Sequence, residues 1–211
     1  SSARPDSTPR HRSAYDHRMP PLRAAAGMFV VSACALTFEV ALTRICSVLL
    51  QYHLSFAVVS LAVLGVGLGG LLAFALRRQG GAAGELPALA LIALGPAIVL
   101  ALVVLLRLPF ATQWPWLVFL VLPPFVAAGT FLSLVLRANV QRAGSLYAAD
   151  LAGGAAGALG AVASLGWLGG PVNAALVLAL AAALIAWAWS GGRGRAAWLA
   201  PAGFAVVLVV A

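Results

Sequence analysis

The sequence contains no lysine, and only five of its 211 residues are acidic. Charged residues of both signs make up 9% of the chain, against roughly 25% in a soluble globular domain. Such a deficit excludes an ordinary water-soluble domain. Cysteine is scarce too. Cys34 and Cys46 form no CxxC or Cys/His spacing, so no zinc or redox site and no cofactor is expected in this chain. His11, His17 and His53 are not spaced as metal ligands. Serine and threonine are scattered and no G-x-S-x-G occurs, so no nucleophile–base pair can be named.

What is present is apolar. Hydrophobic residues account for 63% of the chain and mean hydropathy is +1.04. The net charge of +8 is carried by arginines scattered between apolar runs. Nucleic-acid binding needs a clustered basic face, so no nucleic-acid partner is expected. The expected partner is the lipid bilayer.

Residues 1–23 hold four prolines and five arginines and read as a disordered basic tail. Val31-Ser32-Ala33-Cys34 loosely resembles a lipoprotein cleavage site, but the apolar stretch runs on past Glu39, against processing there. From Ala24 the chain alternates long apolar runs with short polar turns. Crossing the hydrocarbon core takes about 20 apolar residues. Seven candidate helices follow: Ala24 to Leu50, Leu54–Leu76, Pro87–Leu106, Trp116–Leu136, Leu146–Leu168, Pro171–Ser190, and Ala196 onward. The last has only 16 residues before Ala211 and is expected to continue beyond it. The fold class is therefore an all-α polytopic membrane bundle over 24–211.

Arginine alternates between turns. The tail, Arg77-Arg78, Arg137 with Arg142, and Arg193 with Arg195 fall on one side, which places the N-terminus in the cytoplasm. Arg107 dissents and can snorkel to an interface. Phe110, Trp114 and Trp116 form an interfacial belt near it. Pro123-Pro124 interrupts the fourth segment and frees the carbonyls of Phe119 and Leu120. A packed kink is the simpler reading and a transporter-like hinge the sharper one.

Gly65-Val66-Gly67-Leu68-Gly69-Gly70 matches a dinucleotide fingerprint, but no strand precedes it. Its physical content is a small face, Gly65, Gly69 and Ala73, that lets backbones approach. Ala149, Gly153, Gly157 and Ala161 repeat the device in the fifth segment, with Ala156, Gly160 and Ser164 on a neighbouring face. These two helices are expected to be the tightly packed ones.

The polar candidates inside the spans are Glu39, Thr43, Arg44, Tyr147 and Asp150. Ionisable groups in lipid are costly and face a protein interior or a water-filled cavity. Glu39 and Arg44 stand roughly 140° and about 7.5 Å apart on a helix, which reads as separate faces. Glu39 shares its stripe with Ser32, Thr43 and Cys46. It is expected to be neutral at pH 7 or bonded to another helix, since burial disfavours a charged carboxylate. Asp150 lies too shallow to meet Glu39, and Arg77, Arg78, Arg137 or Arg142 are its expected partners.

Glu39-Val40-Ala41-Leu42-Thr43-Arg44, followed by Ser47 to His53 and a Gly-rich second helix, resembles the start of the membrane-bound spermidine synthase-like proteins. The stretch from Gly144-Ser145-Leu146-Tyr147-Ala148-Ala149-Asp150 to Gly160 resembles that family's second hallmark, a G-x-L-Y-x-x-[ND] turn leading into a small-residue helix. The resemblance implies a multi-span domain in the bacterial inner membrane, ahead of a soluble methyltransferase-like domain. The family assigns to that second domain aminopropyl transfer from decarboxylated S-adenosylmethionine to putrescine. This chain carries no such soluble region, so no catalytic residue can be transferred to it. It is expected to anchor a cytosolic aminopropyltransferase-type domain and to bind or pass its substrate. Seven spans from a cytoplasmic N-terminus end outside, so at least one further helix is expected after Ala211. A free-standing transporter or flippase using Glu39 and Asp150 is the alternative, and a purely structural scaffold a third.

Overall fold

A computed structural model describes residues 21–49, 54–78, 86–107 and 114–167. All are helical apart from the short link between the last two helices, and there is no strand among them. The helices are α1 (Pro21–Leu49), α2 (Leu54–Arg78), α3 (Leu86–Arg107), α4 (Trp114–Ala138) and α5 (Ala143–Trp167). Each is long and apolar enough to cross a membrane, giving five such helices among the described residues. They match the first five expected segments. The sixth and seventh segments, the tail to residue 20 and the turn carrying His53 lie outside the described residues.

Four helix starts come earlier than the composition suggests, α1 and α5 by three residues each, α4 by two and α3 by one. Helix α1 begins at Pro21, so Pro21, Leu22 and Arg23 join the helix instead of the tail. Proline suits a first turn because its missing N–H would have no intrahelical partner there. Helix α5 begins at Ala143 rather than Leu146, directly after a 3-10 turn at Val140–Arg142. Asn139 secures that turn by donating its side-chain N–H to the Val135 carbonyl at 3.0 Å. Prolines inside helices do not break them: α3 runs through Pro96 and α4 through Pro123 and Pro124.

The bundle is organised as two parallel helix pairs, α1 with α5 and α2 with α4. In the first pair Gly153 meets Phe29 and Gly157 meets Ala33, so residue numbers rise together along the seam. In the second Gly65 meets Phe125 and Gly69 meets Val126 and Gly129, again rising together. The small residues explain both. A Cβ on Gly157 would fall 2.8 Å from Ala33 Cα, and one on Gly129 would fall 2.7 Å from Val66 Cα. Only glycine lets these backbones touch. The two seams differ in partner from what one sequence stripe can specify: α2 and α5 are the small-faced helices, yet each packs on a different helix rather than on the other.

Phe38 of α1 and Phe125 of α4 join the pairs, with ring centroids 5.6 Å apart and both rings 1% exposed. Phe125 also rests on Gly65, whose added Cβ would lie 2.6 Å from Phe125 Cβ. Helix α3 packs along α4 and contributes Leu91, Leu94, Ile98 and Leu102 to the core. Ser55 at the start of α2 donates to the Thr43 carbonyl near the end of α1 at 3.4 Å, consistent with an antiparallel α1–α2 hairpin.

These directions gather Arg23, Arg77, Arg78, Arg137 and Arg142 at one end of the bundle. Arg44 lies toward the other end, five residues from the last residue of α1.

Candidate functional site

The intramembrane polar residues fall into two sites. The first is the α1–α5 seam. Ser32 of α1 donates its hydroxyl to the Asp150 carboxylate of α5. One helical turn further on, Thr37 donates to the Gly157 carbonyl at 2.8 Å. Both α1 hydroxyl residues are buried. Asp150 therefore finds its partner across the seam, not among the arginines at the bundle end. Asp150 lies seven residues into α5, about 10 Å along it, where the register set by Gly153 on Phe29 and Gly157 on Ala33 brings Ser32 alongside. Glu39 is a further seven residues up α1, about 10 Å beyond Ser32, so the two acids do not meet.

Tyr147 stands apart from this clasp, 57% exposed on the outer surface of α5. Leu146, its neighbour, is the residue that turns inward, at 2% exposure. Of the small residues of α5, Gly153, Gly157 and Ala161 are buried in the seam, while Ala156 and Gly160 are exposed.

The second site is a groove of about 480 Å³ lined by Leu36, Glu39, Val40, Thr43, Arg44, Ser47 and Val59. Both Glu39 and Arg44 line it, although roughly 140° separates them around the helix. At 100° per residue, Leu36, Val40, Thr43 and Ser47 form the middle of one face, and Glu39 and Arg44 are its two flanks. The roughly 140° between them is the width of the groove wall. Glu39 is half-buried and Arg44 exposed. The stripe expected to join Glu39 to Ser32 and Cys46 is divided: Ser32 turns to α5 and Cys46 is wholly buried.

Hydroxyl chemistry in the groove favours acceptors. Thr43 donates to the Glu39 carbonyl at 2.7 Å and Ser47 to the Arg44 carbonyl at 2.8 Å. Each hydroxyl proton is used on the helix backbone, leaving the oxygen lone pairs to face outward. The groove thus offers a carboxyl group and two hydroxyl oxygens beside a single guanidinium. Among the described residues no group of three or more His, Cys, Asp or Glu side chains could hold a metal ion.

Cys34 and Cys46 are buried in the core and are not joined in a disulfide. Two residues of consequence were not apparent in the sequence pattern, Gly129 and Thr130. Thr130 donates to the Gly69 carbonyl at 3.1 Å across the α2–α4 seam. Their signal was the short run Ala127-Ala128-Gly129-Thr130, the smallest stretch of α4.

Five long apolar helices and two glycine-lined seams define an all-helical protein compatible with multiple passes through a membrane. Comparison with protein-family models, with curated proteins and with solved structures finds no match.

Proposed function

We propose that the chain is the membrane domain of a spermidine synthase-like protein of the bacterial inner membrane. Its N-terminus lies in the cytoplasm, and it anchors a cytosolic aminopropyltransferase-type domain. The observation that carries this reading is the pairing of the two helices on which the resembling stretches lie. Glu39 to Arg44 lies on α1 and Gly144 to Gly160 on α5, and these helices share one seam. That seam is held by backbone contact and by the Ser32–Asp150 and Thr37–Gly157 hydrogen bonds. A closely packed pair suits a fixed platform, because interfaces of this kind are bistable at best and not continuously deformable. The gathering of arginines at the end that includes Arg23 supports the cytoplasmic orientation.

Anchoring is favoured over passage of the substrate. Arg44 sits on the same groove as Glu39, and a guanidinium at that wall repels a polycation. Asp150, the other acid of the spans, is already engaged by Ser32.

The test is the intact protein. The coding sequence after Ala211 is expected to add at least one apolar helix and then a methyltransferase-like α/β domain. Membranes carrying that protein are expected to make spermidine from putrescine and decarboxylated S-adenosylmethionine, and membranes carrying residues 1–211 alone are not. A reading frame that continues into an unrelated domain, or an intact protein without the activity, overturns the proposal.

The groove favours a second reading, a small-molecule carrier with Glu39 in its path. Under that reading Glu39→Gln abolishes uptake into proteoliposomes while expression and folding stay intact. Under the anchor reading the same variant leaves spermidine formation by the intact protein unchanged.

A further inference from the structure

We infer that the arginine-rich end of the α2–α4 seam is a binding site for an anionic glycerophospholipid. Arg77 and Arg78 occupy the last turn of α2, and Arg137 the last turn of α4. All three side chains are exposed. The Arg137 guanidinium is not free to wander: it lies 5.4 Å from the centroid of the Phe74 ring, one turn before Arg78. The cation–π contact bridges the two helices between one and about two turns beyond the place where their backbones touch through Gly69 and Gly129. It fixes one guanidinium over a ring that lies one turn below Arg78 on α2, and guanidinium forks match phosphate oxygens.

The surroundings select a lipid as the source of that phosphate. The outer face of α2 below the arginines is apolar and exposed, with Leu64, Leu68, Leu71 and Phe74 on it. That face offers a track for an acyl chain whose headgroup sits at Arg78 and Arg137. A free phosphate would gain nothing from it. Charge complementarity adds to the argument. Glu39 and Asp150 are the only acids among the described residues; Glu39 is toward the far end of α1, and Asp150 is bonded to Ser32. Nothing acidic among the described residues competes for these arginines. Each arginine near a membrane surface adds about fivefold to the affinity for an anionic lipid.

Native mass spectrometry of the purified 211-residue chain, with phosphatidylglycerol and phosphatidylcholine of identical acyl chains, tests the inference. Preferential retention of phosphatidylglycerol is expected. Arg78→Ala with Arg137→Ala is expected to weaken that preference by about 25-fold, two steps of fivefold. Arg44→Ala, at the other end of the bundle, is expected to leave it unchanged. Arg78→Lys with Arg137→Lys keeps the charge but loses the fork and the seat on Phe74, and is expected to fall between the unaltered chain and the alanine pair. If the alanine pair does not fold, Arg77→Ala is read in its place, with an expected fivefold loss. Equal retention of the two lipids by the unaltered chain overturns the inference, as does an unchanged preference in the alanine variants. Displacement of phosphatidylglycerol by millimolar inorganic phosphate would show an anion site without a lipid track, and would overturn it too.

Discussion

Replacing Gly157 by alanine sets a methyl group against the backbone of α1. Its Cβ would fall 2.8 Å from Ala33 Cα and nearer still to the Ala33 carbonyl oxygen. Ordinary van der Waals contact begins at 3.4 Å, so the helices must part by at least about 0.6 Å, the difference between 3.4 and 2.8. Both partners are backbone atoms, and no rotamer change can relieve the clash. The same movement stretches the 2.8 Å bond from Thr37 to the Gly157 carbonyl. Overpacking a close seam costs about 1–3 kcal/mol, and an interhelical hydrogen bond in a bilayer is worth about 0.6 kcal/mol. Alanine returns up to about 1 kcal/mol through its better helix propensity. The net expectation is a loss of about 1–3 kcal/mol, since the Cβ–oxygen contact demands more than the minimum separation. Equilibrium unfolding in mixed micelles, titrated with a denaturing detergent, reads this directly. Gly160→Ala is the matched control. It lies on the same helix three residues away with nothing within 4 Å of its added Cβ, so it is expected to be neutral or mildly stabilising. If Gly157→Ala unfolds at the same detergent fraction as Gly160→Ala, the glycine seam is not what holds α1 to α5.

Ser32→Ala removes the donor that engages Asp150 and is expected to cost about 1–3 kcal/mol in the same assay, the cost of an acceptor left unsatisfied. Asp150→Asn keeps an acceptor oxygen for Ser32 and is expected to cost less than Ser32→Ala; a larger loss would show that the carboxylate serves another partner. Phe125→Ala empties a fully buried site between Phe38 and Gly65 and is expected to cost about 3–5 kcal/mol, read as a lower midpoint for the whole bundle. With Cys34 and Cys46 replaced by alanine, single cysteines at Ser145 and Ser47 are expected to react with a membrane-impermeant maleimide from opposite sides, Ser145 only after the cells are opened. Labelling of both from one side would contradict the α1–α5 register and the orientation proposed above.

The five helices were legible because each is an apolar run longer than a bilayer core requires, bounded by arginine, glycine or proline. Their pairing was not. A stripe such as Gly65, Gly69 and Ala73 tells which face of α2 is thin, but any helix with exposed backbone can fill it. Gly129 decides the matter by offering a second thin place at the same height, and a lone glycine in α4 carries no period to announce it. The partner of Asp150 was not legible for a related reason. The register of α5 on α1 is set by Gly153 against Phe29 and Gly157 against Ala33, and a small-residue stripe does not say which turn of the facing helix each glycine meets.

Glu39 and Arg44 show the limit of angular projection. Roughly 140° separates them on a wheel, and on a helix packed all round that would give them different neighbours. Here the face between them carries Val40, Thr43 and Ser47 and borders a groove. Two residues on the flanks of an open face share one space; two residues on the flanks of a packed face do not. The same reasoning separates the two acids of the spans. Asp150 points into a seam closed by glycine contacts, where the Ser32 hydroxyl answers it. Glu39 lines a groove whose wall on the α2 side includes Val59. One carboxyl group is therefore part of what holds the bundle together. The other remains accessible from the groove, where a change in its charge reaches whatever occupies that space without disturbing the helix pairs.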